Sequence, residues 1–241
     1  MAKKVIEIKN LNFSYSHSGK TLIDISLDVY EGETLGIIGP NGAGKSTLLM
    51  HLDGLLNGAG NIKIFDKELC KENLAFIRGN VGLVFQDPED QLFMPTVYED
   101  VAFGPKNQGL DKQATEERVR LALEDVDLTQ KKDCLSHHLS LGEKKRAAIA
   151  AVLSMAPQIL VLDEPNSNLD PRTRRHLIEL LSGFNVTKII ATHDLEMVLE
   201  LCGRVIILDQ GRIIGEGNPR EILADKSLLE SHGLEVPLSL V

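Results

Sequence analysis

The chain has 241 residues, 43% of them hydrophobic, enough to bury a core in one large domain or in a core with a subdomain. Its 26 Lys and Arg against 35 Asp and Glu leave a net charge of -9, which opposes non-specific binding to nucleic acid and to anionic lipid. Cys70, Cys134 and Cys202 are odd in number and far apart, which argues against a disulfide framework or a zinc site and fits reduced thiols in a cytosolic compartment. From the N-terminus, residues 5–8 and 25–29 alternate like strands with one buried face, and residues 31–33 turn the chain into an apolar run, 34–38, suited to a buried strand. A helix over 46–56 and strands at 61–65 and 81–85 follow. Between about 87 and 156 the character changes: 96–103, 114–126 and 141–155 carry apolar residues at helical spacing, with Val119, Ala122, Leu123 and Val126 on one face. Strand patterns resume at 159–162, 188–192 and 205–208, separated by helical patterns over 171–181 and 195–201. Strands alternating with helices predict an α/β fold with a parallel core sheet, whose ligands bind at the carboxyl ends of the strands. The opening hairpin predicts an N-terminal antiparallel β part. The expected organisation is one domain, with 1–86 and 157–241 forming the core and 87–156 an inserted α-helical subdomain.

Between the strand at 34–38 and the helix after it lies Gly39-Pro40-Asn41-Gly42-Ala43-Gly44-Lys45-Ser46-Thr47. Its glycines allow positive φ and turn backbone N–H groups inward around an anion, Lys45 can reach terminal phosphates, and the Ser46 hydroxyl can ligate magnesium. The helix that follows turns its positive end toward the same phosphates. All the fixed positions of a phosphate loop are present in the strand–loop–helix context that it requires. The ligand class is therefore a nucleotide, with magnesium.

Asp163 and Glu164 end the strand at 159–162, on the ligand edge of a parallel sheet. Divided labour follows: Asp163 for the magnesium shell, Glu164 to orient and deprotonate the water that attacks the γ-phosphate. Gln86 directly follows the strand at 81–85, where its side chain can reach the metal or the water. His193 also ends a strand, where an imidazole can bond the γ-phosphate and hold the glutamate; a satisfied structural histidine is the alternative. Ser140 with Glu143 three residues on is a capping box at the start of a helix. The same Ser hydroxyl, with Gly142 beside it, also suits a phosphate, and the two readings are compatible.

In this order the motifs resemble one family over nearly the whole chain, the ATP-binding cassette ATPases, which are P-loop NTPases. The resemblance makes 39–47 the Walker A loop, Gln86 the Q-loop glutamine, residues 139–143 the signature, and Asp163 and Glu164 the Walker B aspartate and catalytic base. It makes 168–170 the D-loop and His193 the switch histidine, and it puts Tyr15 where an aromatic stacks on adenine, an ordinary core tyrosine being the alternative. It further implies a head-to-tail dimer with a second copy or a paralogue, each ATP lying between one subunit's Walker A loop and the other's Ser140, Gly142 and Glu143. The signature reads Leu-Ser-Leu-Gly-Glu, so Leu141 replaces a glycine, and Asn166 stands where many members have Thr.

The run 86–105 and the tail resemble the ATPases of energy-coupling factor transporters, especially cobalt and nickel importers. That likeness implies a cytoplasmic-face ATPase with a membrane coupling subunit docking after Gln86 and a separate substrate-binding membrane subunit. Asp87, Glu89, Asp90, Glu99 and Asp100 are the acids expected to meet arginines of the coupling subunit, a merely solvated acidic face being the alternative. An ATPase of a vitamin-specific transporter, a soluble cassette ATPase without transport and a non-hydrolysing regulator are the other functions weighed.

Overall fold

The computed structural model describes residues 3–16 and 19–241. Strand β1 (Lys4–Ser14) pairs antiparallel with β2 (Lys20–Tyr30), Ile8 opposite Leu27 and Glu7 opposite Asp28. Both strands are longer than the short alternating runs predicted. The alternation breaks at bulges where Asn10 and Asp24 adopt φ of 50° and 54°. Side chains repair those breaks: Asn10 N–H donates to Ser26 Oγ at 3.0 Å, and Asp24 N–H to Asn12 Oδ1 at 3.1 Å.

Next come β3 (Thr34–Ile38), α1 (Lys45–Leu52), β4 (Ala59–Ile64) and β5 (Lys67–Glu68). Helix α1 stops at Leu52 rather than 56, because Gly54 turns the chain at a φ of 73°. Phe65 and Asp66, with φ of 48° and 62°, form the turn out of β4, so Phe65 is not strand. Helix α2 (Leu74–Asn80) and β6 (Val81–Val84) lead to three helices that pack on one another, α3 (Val97–Asn107), α4 (Lys112–Asp125) and α5 (Leu141–Leu153). The chain ends with β7 (Ile159–Asp163), α6 (Pro171–Gly183), β8 (Thr187–Ala191), α7 (Leu195–Leu201), β9 (Arg204–Asp209), β10 (Arg212–Gly217), α8 (Pro219–Ala224) and α9 (Lys226–Ser231).

Two sheets result, one antiparallel in the order β2-β1-β4-β5 and one in the order β10-β9-β3-β8-β7-β6, parallel except for the edge strand β10. The expected α/β architecture, a parallel-strand sheet beside an antiparallel one, is the one observed. Every residue of β7 is buried, and its side chains alternate between two cores. Ile159 and Val161 join the cluster shared with α1 and the antiparallel sheet, while Leu160 and Leu162 join the one beneath α3, α4 and α5. A charge at any of these positions would therefore disrupt the one core that its side chain enters. The strands β3, β7 and β8 run in the same direction, so Gly39, Glu164 and His193, which follow their ends, emerge on one edge of the sheet. Gln86 follows β6 on that edge.

Candidate active site

Gly39, Gly42 and Gly44 hold φ of 150°, 79° and 108°. A Cβ on Gly39 would sit 1.9 Å from the Leu208 carbonyl oxygen, and one on Gly44 2.9 Å from the Thr21 carbonyl oxygen, so the loop is wrapped tightly against β9 and β2. The N-cap of α1 is Gly44, which has no side chain to bond the first N–H groups of the helix. Other helices with a capping side chain, such as α3 and α5, satisfy their first N–H groups internally. An uncapped helix start of this kind is suited to an anion. Lys45 is buried at the head of the helix and its Nζ donates to the Gly39 and Pro40 carbonyls at 2.8 and 3.3 Å. The same ammonium lies 3.9 Å from Glu164 Oε1.

Glu164 itself has a φ of 44°, an uncommon conformation for a residue with a side chain, and its N–H donates to the Ala191 carbonyl at 2.8 Å. The turn aims a buried carboxylate at His193, whose Nδ1 lies 2.7 Å from Oε2 and whose backbone N–H donates to the same oxygen at 3.3 Å. The imidazole is 63% exposed and the carboxylate 7%, so the histidine is the solvent-facing member of the pair. Residues around the pair lock the His193 loop. Asn166 Nδ2 and the Arg174 guanidinium both donate to Asp194, the Arg174 Nη2 bond measuring 2.8 Å, and Asp194 N–H donates to Thr192 Oγ1 at 3.0 Å. Asn166 thereby has a physical role that its sequence position did not suggest: it bridges the turn after β7 to the one after β8.

Asp163 is buried, and its Oδ1 has no hydrogen-bond partner among the described residues. Burial pushes its carboxyl above the usual range; a hydrogen bond from Ser46 opposes that and the charge of Glu164 adds to it. A buried carboxylate oxygen without a donor, beside a serine hydroxyl at the head of a helix, is suited to a hard cation such as Mg2+. Gln86 completes the constellation, lining with Ser46 and Asp163 a cavity of about 380 Å3.

A larger cleft of about 820 Å3 lies over the loop and is lined by Tyr15, the glycines, Lys45, Gln86, Glu164 and His193. Tyr15 sits just past β1, 44% exposed, its hydroxyl 3.3 Å from Thr47 Oγ1 and its ring edge-on to Phe13 at 4.9 Å. An open aromatic face at the mouth of the cleft is what the core-tyrosine alternative would not leave. Pro40, Asn41 and Thr47 line the cleft with the glycines, and Ala43 is buried beneath, its N–H donating to the Pro40 carbonyl at 3.2 Å.

Ser140, Gly142 and Glu143 are not among the residues lining that cleft. They form the capping box of α5: Glu143 N–H donates to Ser140 Oγ at 3.3 Å and Ser140 N–H to Glu143 Oε2 at 2.9 Å. Gly142 is buried, and a Cβ there would meet Thr173 Cγ2 of α6 at 2.3 Å, so close packing, not loop flexibility, demands the glycine. Leu141 stands 40% exposed at the first helical position and lines the smaller cavity.

One prominent residue was not legible in the sequence. Lys145, in the middle of a Lys-Lys-Arg run, is buried behind the site, where burial lowers its pKa to about 8 against the opposing pull of Glu164, Asp87 and Asp163. Which lysine of such a run turns inward depends on how α5 is rotated, and only its packing fixes that. Of the acids expected to face a partner, Asp100 is withdrawn: it is buried, accepting from Phe93 N–H and Met94 N–H at 2.9 and 2.8 Å and from Ser136 Oγ at 2.7 Å. Glu99 caps α3, and Glu89 pairs with Lys144.

Residues 22–167 match the family model described as ABC transporter. The EcfA energy-coupling factor transporter ATP-binding protein of Carboxydothermus hydrogenoformans is 48% identical, covering 97% of this chain and 87% of its own length. The protein of the same name from Methanothermobacter thermautotrophicus is 46% identical over 97% of this chain and 77% of its own. Among solved structures, CbiO1 of Clostridium perfringens, described as part of the ABC transporter complex cbiONQ, superposes with a TM-score of 0.84 at 38% identity, covering 95% of this chain and 94% of that one. Agreement of this extent, in a chain whose sheet edge gathers a phosphate loop, a carboxylate pair and a histidine, makes this protein a member of the ABC transporter family and one of its ATPases.

Proposed function

We propose that the chain is the ATP-hydrolysing subunit of an energy-coupling-factor-type importer, working at the cytoplasmic face of the membrane through membrane-embedded partners. The observation that carries the catalytic part is the 2.7 Å contact between His193 and Glu164 beside the phosphate loop. Lys45 and the free N–H groups of α1 bind the phosphates, and Tyr15 stacks on the adenine. Ser46, Asp163 and Gln86 hold Mg2+, which when bound draws electron density from the phosphate oxygens. Glu164 accepts the proton of the attacking water as the bond to the leaving ADP breaks, and His193 keeps the carboxylate aimed. The test is Glu164→Gln: turnover should fall at least ~100-fold while ATP-bound dimer accumulates on a sizing column. A variant with wild-type turnover would remove Glu164 from this role.

Ser140, Gly142 and Glu143 act on the nucleotide of a second copy or paralogue. Their seat at the exposed start of α5, outside the chain's own cleft, supports that reading. For the membrane coupling subunit we infer docking on the segment after Gln86. Phe93 and Phe103 stand 62% and 41% exposed there in edge-to-face contact at 4.9 Å, with Asp87, Glu89 and Asp90 also exposed. No helix among the described residues is long and apolar enough to cross a membrane, so the cargo would be carried by other subunits. The cargo we infer is a cobalt or nickel ion, from the resemblance of 86–105 to those importers. The second reading is the ATPase of a vitamin-specific energy-coupling factor transporter, a class of importer that the two EcfA relatives' names share without naming a cargo. Uptake of radiolabelled cobalt by cells carrying the chain with its co-purified membrane partners separates the two, and vitamin uptake without cobalt uptake would favour the second.

A further inference from the structure

Lys145 lies on α5, one turn past Ser140, with 5% of its surface exposed. Its Nζ donates to the Glu164 carbonyl at 2.9 Å, to Ser167 Oγ at 2.9 Å and to the Gln86 carbonyl at 3.4 Å. An ammonium has three N–H groups, so all its donors are used. Its three acceptors belong to the turn holding the carboxylate, the loop after it and the segment after β6, and Ser167 Oγ also donates to the Glu164 carbonyl at 3.0 Å. The side chain does not line the large cleft; it stands behind it, in the wall of the smaller cavity with Leu141 and Asp163.

We propose that Lys145 is a positioning residue that joins the ATP loops of its own subunit to the start of α5, so that nucleotide held in one site sets the angle at which Ser140 and Leu141 are offered to the other. The proposal rests on the dimeric ATPase reading above. Charge-assisted bonds to backbone carbonyls resist sliding more than neutral contacts do. A shift of the Glu164 turn is therefore passed to the helix through this side chain, and one of the Gln86 segment through it together with the Glu89–Lys144 pair and the Gln91 Nε2 bond to the Ala148 carbonyl. Without the ammonium, α5 remains packed on α3, α4 and α6, but its rotation is no longer tied to the Glu164 turn.

The experiment compares wild type, Lys145→Met and Lys145→Arg for binding of a fluorescent ATP analogue, steady-state ATPase and, in a Glu164→Gln background, the ATP concentration that drives half the protein into dimer. Expected for Lys145→Met is analogue affinity within ~3-fold of wild type, kcat lowered ~10-fold or more, and a ~10-fold higher ATP requirement for dimer. Lys145→Arg should recover much of both. Unchanged kcat and unchanged dimerisation in Lys145→Met overturn the proposal, as does a loss confined to analogue affinity. Should Lys145→Met not fold, Ser167→Ala loosens the same anchor from the opposite side. It should raise the ATP requirement for dimer at unchanged analogue affinity, and an unaltered requirement overturns the proposal. Failure of the ATPase reading itself would show separately, as absence of hydrolysis by wild type.

Discussion

Around Glu164, the residues that hold its partner in place, Asn166, Arg174 and Asp194, do not line the cleft. His193 is held through its neighbour Asp194, and Asp194 through Arg174 and Asn166. Burial pushes the Asp194 carboxyl up, but the Arg174 hydrogen bond and the other donors outweigh it, and its pKa lies below the ordinary 3.8. A carboxylate held low stabilises the fold above its unfolded pKa, and that stability is lost as pH falls through the folded value. Asp194→Asn should therefore cost about 1–3 kcal/mol of urea-unfolding stability at neutral pH. The difference from wild type should shrink below about pH 4; a cost constant from pH 7 to pH 3 would contradict the assignment. His193→Ala should reduce kcat by roughly 100-fold with little change in nucleotide affinity, measured by phosphate release. Sequence reading reached His193 and Glu164 because each ends a strand. It could not reach Arg174, whose partner is on another element and whose neighbour Arg175 turns instead to Glu200.

At the scale of elements, α3 shows how a helix survives a rule against it. The apolar spacing predicts a helix over 96–103, and Gly104-Pro105 would ordinarily close one, yet α3 continues to Asn107. Pro105 has no N–H for the Val101 carbonyl, and the Ser154 hydroxyl from beyond α5 donates to it instead at 2.8 Å. Gly104 permits that approach, because a Cβ there would lie 2.4 Å from Met155 Cγ. Ser154→Ala should cost about 1–2 kcal/mol by leaving a buried carbonyl unpaired. Adding Pro105→Ala, which restores an N–H, should recover part of it; strict additivity in denaturation would refute the compensation. Gly142→Ala drives a methyl into Thr173 and should cost about 1–3 kcal/mol, with Thr173→Ser giving partial relief in the same assay.

For the molecule as a whole, ligand linkage is the sharpest measure of the site. Saturating Mg2+ and a non-hydrolysable ATP analogue at about 100 times Kd should add about 2.7 kcal/mol, or roughly 5–11 °C in Tm for a chain of this size. Chelation of the metal should remove most of the shift, and Asp163→Asn should mimic chelation in differential scanning calorimetry. An equal shift with and without Mg2+ would separate Asp163 and Ser46 from the metal.

By itself the sequence determined the phosphate loop, the strand-end acids and the alternating order of strands and helices. Those are local matters: glycine spacing, period and neighbouring residue types act within a few positions of the chain. Only tertiary structure decided what crosses between elements: the buried Lys145 bonded to the Glu164, Ser167 and Gln86 segments, the Asn166–Asp194–Arg174 lock, the rescue of α3 by Ser154 and the withdrawal of Asp100 into Ser136. Each depends on which face of a helix turns inward and on hydrogen bonds between residues tens of positions apart. Chain order alone carries no such information, because packing two or more elements together is what brings the partners within reach.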